Sequence, residues 1–157
     1  MSGRKPYTRR VAYYETDQMG IVHHANYIRW FEEARDSYVR DYGIDYALVE
    51  AQGILMPVTA VTCKYKTPAR YNEVVEIRVR LRHFNGVKLR YEYEITAPET
   101  GALVAAGTSE HCFIDAGSRF PVNLKHRMPE YSAALLRLLA EDIGLPEAGD
   151  ESEGGQE

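Results

Sequence analysis

From Val75 to Ile95 the chain alternates apolar and charged residues with a period of two, the mark of strands with one dry and one wet face. Val75, Ile77, Val79 and Leu81 alternate with Glu76, Arg78, Arg80 and Arg82, and Leu89, Tyr91, Tyr93 and Ile95 alternate with Lys88, Arg90, Glu92 and Glu94. Asn85 and Gly86 lie between the runs and invite a two-residue hairpin, but that register sets each apolar leucine opposite an arginine. A three-residue loop of Phe84, Asn85 and Gly86, with Gly86 left-handed in a bulge, removes the conflict. It pairs His83 with Val87, Leu81 with Leu89 and Val79 with Tyr91. It also places Arg82 beside Lys88 and Arg80 beside Arg90 on the wet face, where like charges repel. That cluster is either a set of solvated side chains or a seat for a phosphate-bearing ligand.

The dry faces need a cover, and Ala25 to Tyr42 has the matching helical stripe, with Tyr27, Trp30, Phe31, Ala34 and Tyr38 recurring at three and four. Its other face carries Arg29, Glu32, Glu33, Asp36 and Arg40, with Arg29 and Glu33, and Asp36 and Arg40, one turn apart. Gly43 suits a left-handed cap, giving a helix about 25 Å long that can serve as a central element. A short strand at Thr8 to Tyr14 precedes it. A connection from Asp45 to Gly53 leads to further strands at Leu55 to Tyr65 and Leu103 to Ile114, beside those at Glu73 to Phe84 and Val87 to Thr96. Leu103 to Ile114 has small residues on both sides, as a strand buried on both faces or lining an interface has. Pro129 to Asp142 reads as a second short helix through Tyr131, Leu135, Leu138 and Leu139. The class is α+β, without βαβ alternation. With 157 residues and 45% hydrophobic composition, one domain over residues 1–146 is expected, followed by an acidic, disordered tail at 147–157.

A net charge of -4 gives no global attraction for nucleic acid, and none is expected as a partner. The opening MSGRKPYTRR is polar and basic with no apolar run behind it, and no later stretch has the length to span a bilayer. A soluble, cytoplasmic protein without a membrane partner is expected. Cys63 and Cys112 are far apart and read as buried free thiols, not as a disulfide or zinc pair. Adjacent His23 and His24 do not share one helix face, so no metal is expected. The absence of a glycine-rich phosphate loop speaks against a nucleotide cofactor.

The chemistry concentrates in YETDQMGIVHHANYIRWFEEAR, Tyr14 to Arg35, where a carboxylate, a glycine turn and two histidines precede the long helix. An aspartate so placed serves equally as a turn or N-cap residue. The YETDQMG turn with Asp17 and Gly20, the IVHHANY segment, the WFEEAR helix body and, downstream, YKTPARYNEVVEI at Tyr65 to Ile77 resemble the 4-hydroxybenzoyl-CoA thioesterase family, across Tyr7 to Asn123. The resemblance implies a hot-dog fold, an antiparallel sheet wrapped around one long helix. It also implies homodimers or homotetramers with active sites at subunit interfaces. The substrate it implies is an acyl-CoA, so that CoA enters as part of the substrate and no separate cofactor is needed.

Thioester hydrolysis needs a group that activates water or attacks directly, and donors for the developing oxyanion. Asp17 fits the first role, as general base or nucleophile. Backbone N–H groups near His24 and Ala25, at the positive end of the helix, fit the second. The Tol–Pal-associated branch of the family carries a histidine at the position of His24, which implies an assisting role. The branch that names the family has tyrosine there. Tyr14, Gly20, Asn26 and Tyr27 are candidate substrate contacts, with core packing the default for Tyr27. Trp30, Phe31, Met56 and Phe113 either line the acyl pocket or pack the core, which leaves aliphatic and aromatic acyl groups both open. Arg82, Lys88 and Arg90 are candidates for gripping the CoA phosphates. The same patch would attract an acidic acyl carrier protein. A non-hydrolytic acyl-thioester binder and a hot-dog dehydratase are the alternatives; intact Asp17 speaks against the first, and the absence of the usual dehydratase motif against the second.

Overall fold

The computed structural model describes residues 5–144, so the 147–157 tail and the final residues assigned to the domain lie outside the described residues. Five antiparallel strands, β1 (Tyr7–Arg10), β3 (Val58–Tyr65), β4 (Val74–Phe84), β5 (Lys88–Ala97) and β6 (Ala102–Cys112), form one sheet in the order β1-β4-β5-β6-β3. The long helix α1 (Ala25–Arg40) packs against its inner face with Tyr27, Trp30, Phe31, Ala34, Tyr38 and Val39 buried. That is the expected stripe, and burial of each large side chain contributes about 1.5–3 kcal/mol. The helix stops where Gly43 turns left-handed at φ +74°.

Helix and sheet meet closely at Phe31, whose ring stacks on Tyr93 at 4.3 Å. Gly107 on β6 makes room for it, since a Cβ there would lie 2.7 Å from the Phe31 ring and 2.2 Å from the Thr62 carbonyl oxygen. The inner face of β6 is therefore small or polar, carrying Ala105, Gly107, Ser109 and His111, while its outer face is partly exposed and not buried as one reading allowed.

Five expectations need correction. The strand near Thr8 ends at Arg10, and Tyr13–Glu15 form a 3-10 turn. The connection from Asp45 to Gly53 contains α2 (Tyr46–Ala51), started by the Asp45 side chain accepting from the Ala47 N–H. Leu55 to Tyr65 is broken ahead of Val58: β2 (Ile54–Leu55) pairs with β7 (Ile114–Asp115) in a separate small sheet, while β3 joins the main one. Cys63 and Cys112 are free thiols, as expected, but only partly buried.

The fifth correction is the hairpin register. Leu81 faces Tyr91 and Val79 faces Tyr93, two residues from the expected pairs. Parity is preserved, so the dry faces agree, but the irregularity falls in β4 between Leu81 and His83 and not at Gly86. The turn explains the shift. The Asn85 side-chain oxygen accepts from the N–H groups of Val87 and Lys88 at 3.0 and 2.7 Å, which widens the loop. Gly86 does take a positive φ of +94°, and its carbonyl receives the Leu124 N–H at the start of the short α3 (Leu124–Arg127).

At the irregularity, Asp142 near the end of α4 (Pro129–Asp142) accepts from the Leu81 N–H at 2.9 Å and from the Tyr38 hydroxyl. Arg82 turns to the Asp142 carbonyl at 2.8 Å and to Glu92 at 3.3 Å. Arg80 then faces Glu92 and Arg78 faces Glu94. The like-charge pairs Arg82 with Lys88 and Arg80 with Arg90 do not form. Opposite charges meet across the strands instead.

Candidate active site

Asp17 sits on a small antiparallel hairpin that leads into α1. Thr16 bridges Val22, the Asp17 N–H donates to the Ile21 carbonyl at 2.9 Å, and Gly20 completes the turn at φ +76°. One Asp17 carboxylate oxygen accepts the Met19 N–H at 2.8 Å. The carboxylate is thus oriented by its own turn through one oxygen, and the residue stays half-exposed. Arg70 reaches the Gly20 carbonyl at 3.4 Å, and Ala69 accepts the Val22 N–H at 2.8 Å, tying the turn to the segment that enters β4.

The helix start lies directly beyond. The His23 ring accepts the Ala25 N–H through Nδ1 at 3.2 Å and stacks on the His24 ring at 4.2 Å. Of the two expected oxyanion donors, Ala25 is therefore engaged, whereas the His24 N–H makes no hydrogen bond among the described residues. His24 is exposed, and Tyr65 at the end of β3 donates to its carbonyl at 3.2 Å. Asn26 is buried, its amide donating to the Glu15 carbonyl at 2.8 Å, and Tyr27 is buried with its hydroxyl accepting the Ala69 N–H at 3.4 Å. Both are framework. Tyr14 and Met19 are 80% and 73% exposed and present apolar surface beside Asp17.

A cavity of about 610 Å³ opens along α1, with Arg29, Glu32 and Asp36 of the helix on one side and Val49, Met56 and Tyr91 on the other. That size suits a small-molecule site. Met56, half-buried, and the rim of the otherwise buried Phe113 border this cavity, while Trp30 and Phe31 are core residues away from it, 0% and 1% exposed. Behind Tyr91 runs a buried polar chain: Arg35 donates to the Tyr93 hydroxyl at 3.0 Å, and Ser109 joins Tyr93 to the His111 Nε2 with two 2.6 Å contacts. Burial, reinforced by the Arg35 charge, pulls the His111 imidazole down to about 4.

The basic candidates lie elsewhere. Lys88 and Arg90 are exposed and line a groove of about 590 Å³ with His83, Thr59 and Cys112. Arg82 borders the same groove but is only 7% exposed and bound to Glu92, which leaves Lys88 and Arg90 as its open cations. This end of the sheet adjoins Val58, because Lys88 pairs with Cys112 and Val58 with His111. Tyr65, which marks the helix start, is at the other end of β3, about 23 Å away at the strand rise. One protomer does not bring Asp17 and the basic groove together.

Sequence reasoning passed over Glu15, which is 3% exposed and ion-paired with Arg9 at 2.8 Å. The available signal was an acid two residues before Asp17 and an arginine of opposite charge in β1.

Residues 11–139 match the profile of the Thioesterase-like superfamily. The chain is 38% identical to the putative acyl-CoA thioesterase YneP of Bacillus subtilis over 79% of its length and 89% of the relative's. It is 30% identical to the acyl-CoA thioester hydrolase YbgC of Escherichia coli over 60% of its own length and 70% of that protein's. Among solved structures, a DHNA-CoA thioesterase from Staphylococcus aureus superposes with a TM-score of 0.83 at 32% identity, covering 91% of this chain and 97% of the other.

Proposed function

Because this chain belongs to the Thioesterase-like superfamily, we propose that its thioester hydrolase activity is carried by Asp17 and the first turn of α1. The substrate class is acyl-CoA, and the products are a free acid and CoA. The observation that carries the assignment is the Asp17 carboxylate, held through one oxygen on a hairpin that runs straight into a helix start with an open N–H at His24. The second carboxylate oxygen takes a proton from water as water attacks the thioester carbon, or attacks that carbon itself to give a mixed anhydride that water then cleaves. In either case the C–S bond breaks, the CoA sulfur leaves and is protonated, and the carbonyl oxygen gains charge facing the His24 N–H and the helix dipole. The His24 imidazole stands beside this N–H as an assisting group.

The site is completed by a second copy of the chain. β3 is an edge strand, exposed at nearly every residue, and its Val58, Val61 and Tyr65 are 50%, 37% and 47% exposed. Antiparallel pairing of two such edges buries them and sets the Val58 end of one protomer beside the Tyr65 end of the other. Lys88 and Arg90 of one subunit thereby approach Asp17 of its mate, and the CoA phosphates bridge the two. The cavity lined by Met56 and Phe113 lies at that same end and receives the acyl group. The acyl-CoA substrate argues for a cytoplasmic location.

Free-thiol release from short, medium, long-chain and aromatic acyl-CoAs tests the assignment, with wild type and Asp17→Asn in parallel. The wild type turns over, and the variant loses roughly 100- to 10,000-fold in kcat. Activity retained by Asp17→Asn refutes the role of Asp17. Binding without thiol release by either protein makes the chain a non-hydrolytic acyl-thioester binder. Faster turnover of acyl carrier protein thioesters assigns the basic groove to a protein carrier. Sedimentation velocity showing only monomer refutes the shared site.

A further inference from the structure

Glu15 occupies a position that neither hydrolysis nor substrate binding requires, yet it is the most connected residue near Asp17. Its side chain is buried, and both carboxylate oxygens are engaged. Oε1 accepts from Arg9 at 2.8 Å and from the Ala12 N–H at 2.8 Å, and Oε2 accepts the Trp30 indole N–H at 2.6 Å. Its backbone carbonyl accepts twice more, from the His23 N–H at 2.8 Å and from the Asn26 side chain at 2.8 Å. The Arg9 guanidinium lies over the Trp30 ring, 4.8 Å from its centroid, and reaches Glu33 at 3.3 Å.

These contacts join separate parts of the molecule. Arg9 belongs to β1, Asn26 and Trp30 to the first turns of α1, and His23 to the returning leg of the Asp17 hairpin. Two further anchors hold that hairpin from the other side, the Val22 N–H on Ala69 and Arg70 on the Gly20 carbonyl. Glu15 binds the hairpin to the helix whose N-terminus lies over the reacting carbonyl through both its side chain, which takes the Trp30 indole N–H, and its backbone carbonyl, which takes the Asn26 amide. A carboxylate taken out of water so completely is stable only with its partners in place, so its three contacts, to Arg9, the Ala12 N–H and Trp30, form or fail together.

We propose that Glu15, clamped by Arg9 and Trp30, is a positioning residue that fixes the Asp17 carboxylate relative to the N-terminus of α1. The proposal rests on Asp17 being the reacting carboxylate. Glu15 itself is buried behind the hairpin and touches no substrate. Its loss lets the two halves of the site drift apart, and a displacement of about 1 Å costs on the order of 100-fold in rate.

Two variants and two readouts test this. Glu15→Gln removes the charge while Arg9 keeps Glu33, and Trp30→Phe keeps the ring but removes the indole donor. In both, thermal melting well above assay temperature and unchanged amide-exchange protection in β4 and β5 establish a folded protein. Expected are a fall in kcat of about 10- to 100-fold with KM within two-fold, together with at least ten-fold faster amide exchange across residues 15–26. Glu15→Asp, with its carboxylate one methylene short, recovers part of kcat. Folded variants with unchanged kcat overturn the proposal, whether or not residues 15–26 exchange faster, and so does a loss of kcat without faster exchange there. If the wild type releases no thiol from any acyl-CoA, the hydrolase reading fails. The exchange measurement then decides on its own whether Glu15 anchors the hairpin, and unaltered exchange overturns the clamp.

Discussion

Acid should unfold this protein partly through one imidazole. His111 is 1% exposed, and its Nδ1 has no hydrogen-bond partner, so protonation would bury an unpaired charge. Its pKa is about 4 in the fold against 6.5 in the unfolded chain. Because the folded value is the lower, the unfolded state binds the extra proton between these limits. Stability is therefore fully present above pH 6.5 and falls as the pH drops towards 4, by up to about 1.4 kcal/mol per pH unit. Integrated from pH 7 to pH 5, the loss is about 2 kcal/mol, or about 4 to 8 °C in Tm for a domain of this size. His111→Leu keeps a similar volume against Tyr91 and removes the titrating group. Urea unfolding of both proteins at pH 7 and pH 5, at one fixed protomer concentration, isolates the effect, since all other titrations cancel in the difference. The wild type should lose about 2 kcal/mol more than the variant over that interval. Equal losses, within ~0.5 kcal/mol, would refute the reasoning and show that the imidazole is charged or hydrated in the fold.

Gly107→Ala drives a methyl against the Phe31 ring and the Thr62 carbonyl, and should cost about 1–3 kcal/mol, read as a lower Tm; an unchanged melt would mean that α1 is not seated so close to β6. Replacing Lys88 and Arg90 together by alanine should raise KM for acyl-CoA about five-fold, equivalent to about 1 kcal/mol, and flatten its salt dependence. The same variant should leave hydrolysis of an acyl-pantetheine substrate unaltered, because that molecule lacks the nucleotide phosphates. An equal loss on both substrates would remove the phosphate role.

The central helix was legible because its stripe is set by a local period that tertiary structure had no reason to override: Tyr27, Trp30, Phe31, Ala34 and Tyr38 are all buried. The dry faces of β4 and β5 were legible on the same ground. Their register was not, since it depends on the Asn85 side chain capturing two N–H groups and on Asp142 arriving from 61 residues away at Leu81. Arg82 shows the consequence for function. Counted along the strand it is one of a row of wet cations, but the irregularity beside it turns its guanidinium to α4. The turn carrying Asp17 was visible in its glycine, whereas Glu15 was hidden. Nothing local distinguishes a solvated glutamate from one whose charge is balanced by an arginine on another strand. The helix α2 was missed even though its signal was present, an aspartate cap at Asp45.

The hydrogen bonds of Asp142 also set an order in time. Its carboxylate serves Tyr38, 104 positions earlier, and the Leu81 N–H, so the helix and the strand it joins leave the ribosome long before their shared acceptor exists. A nascent chain holding every strand of the sheet still lacks the group that completes the middle of β4. Closure at the middle of β4 therefore waits for α4, the last helix among the described residues.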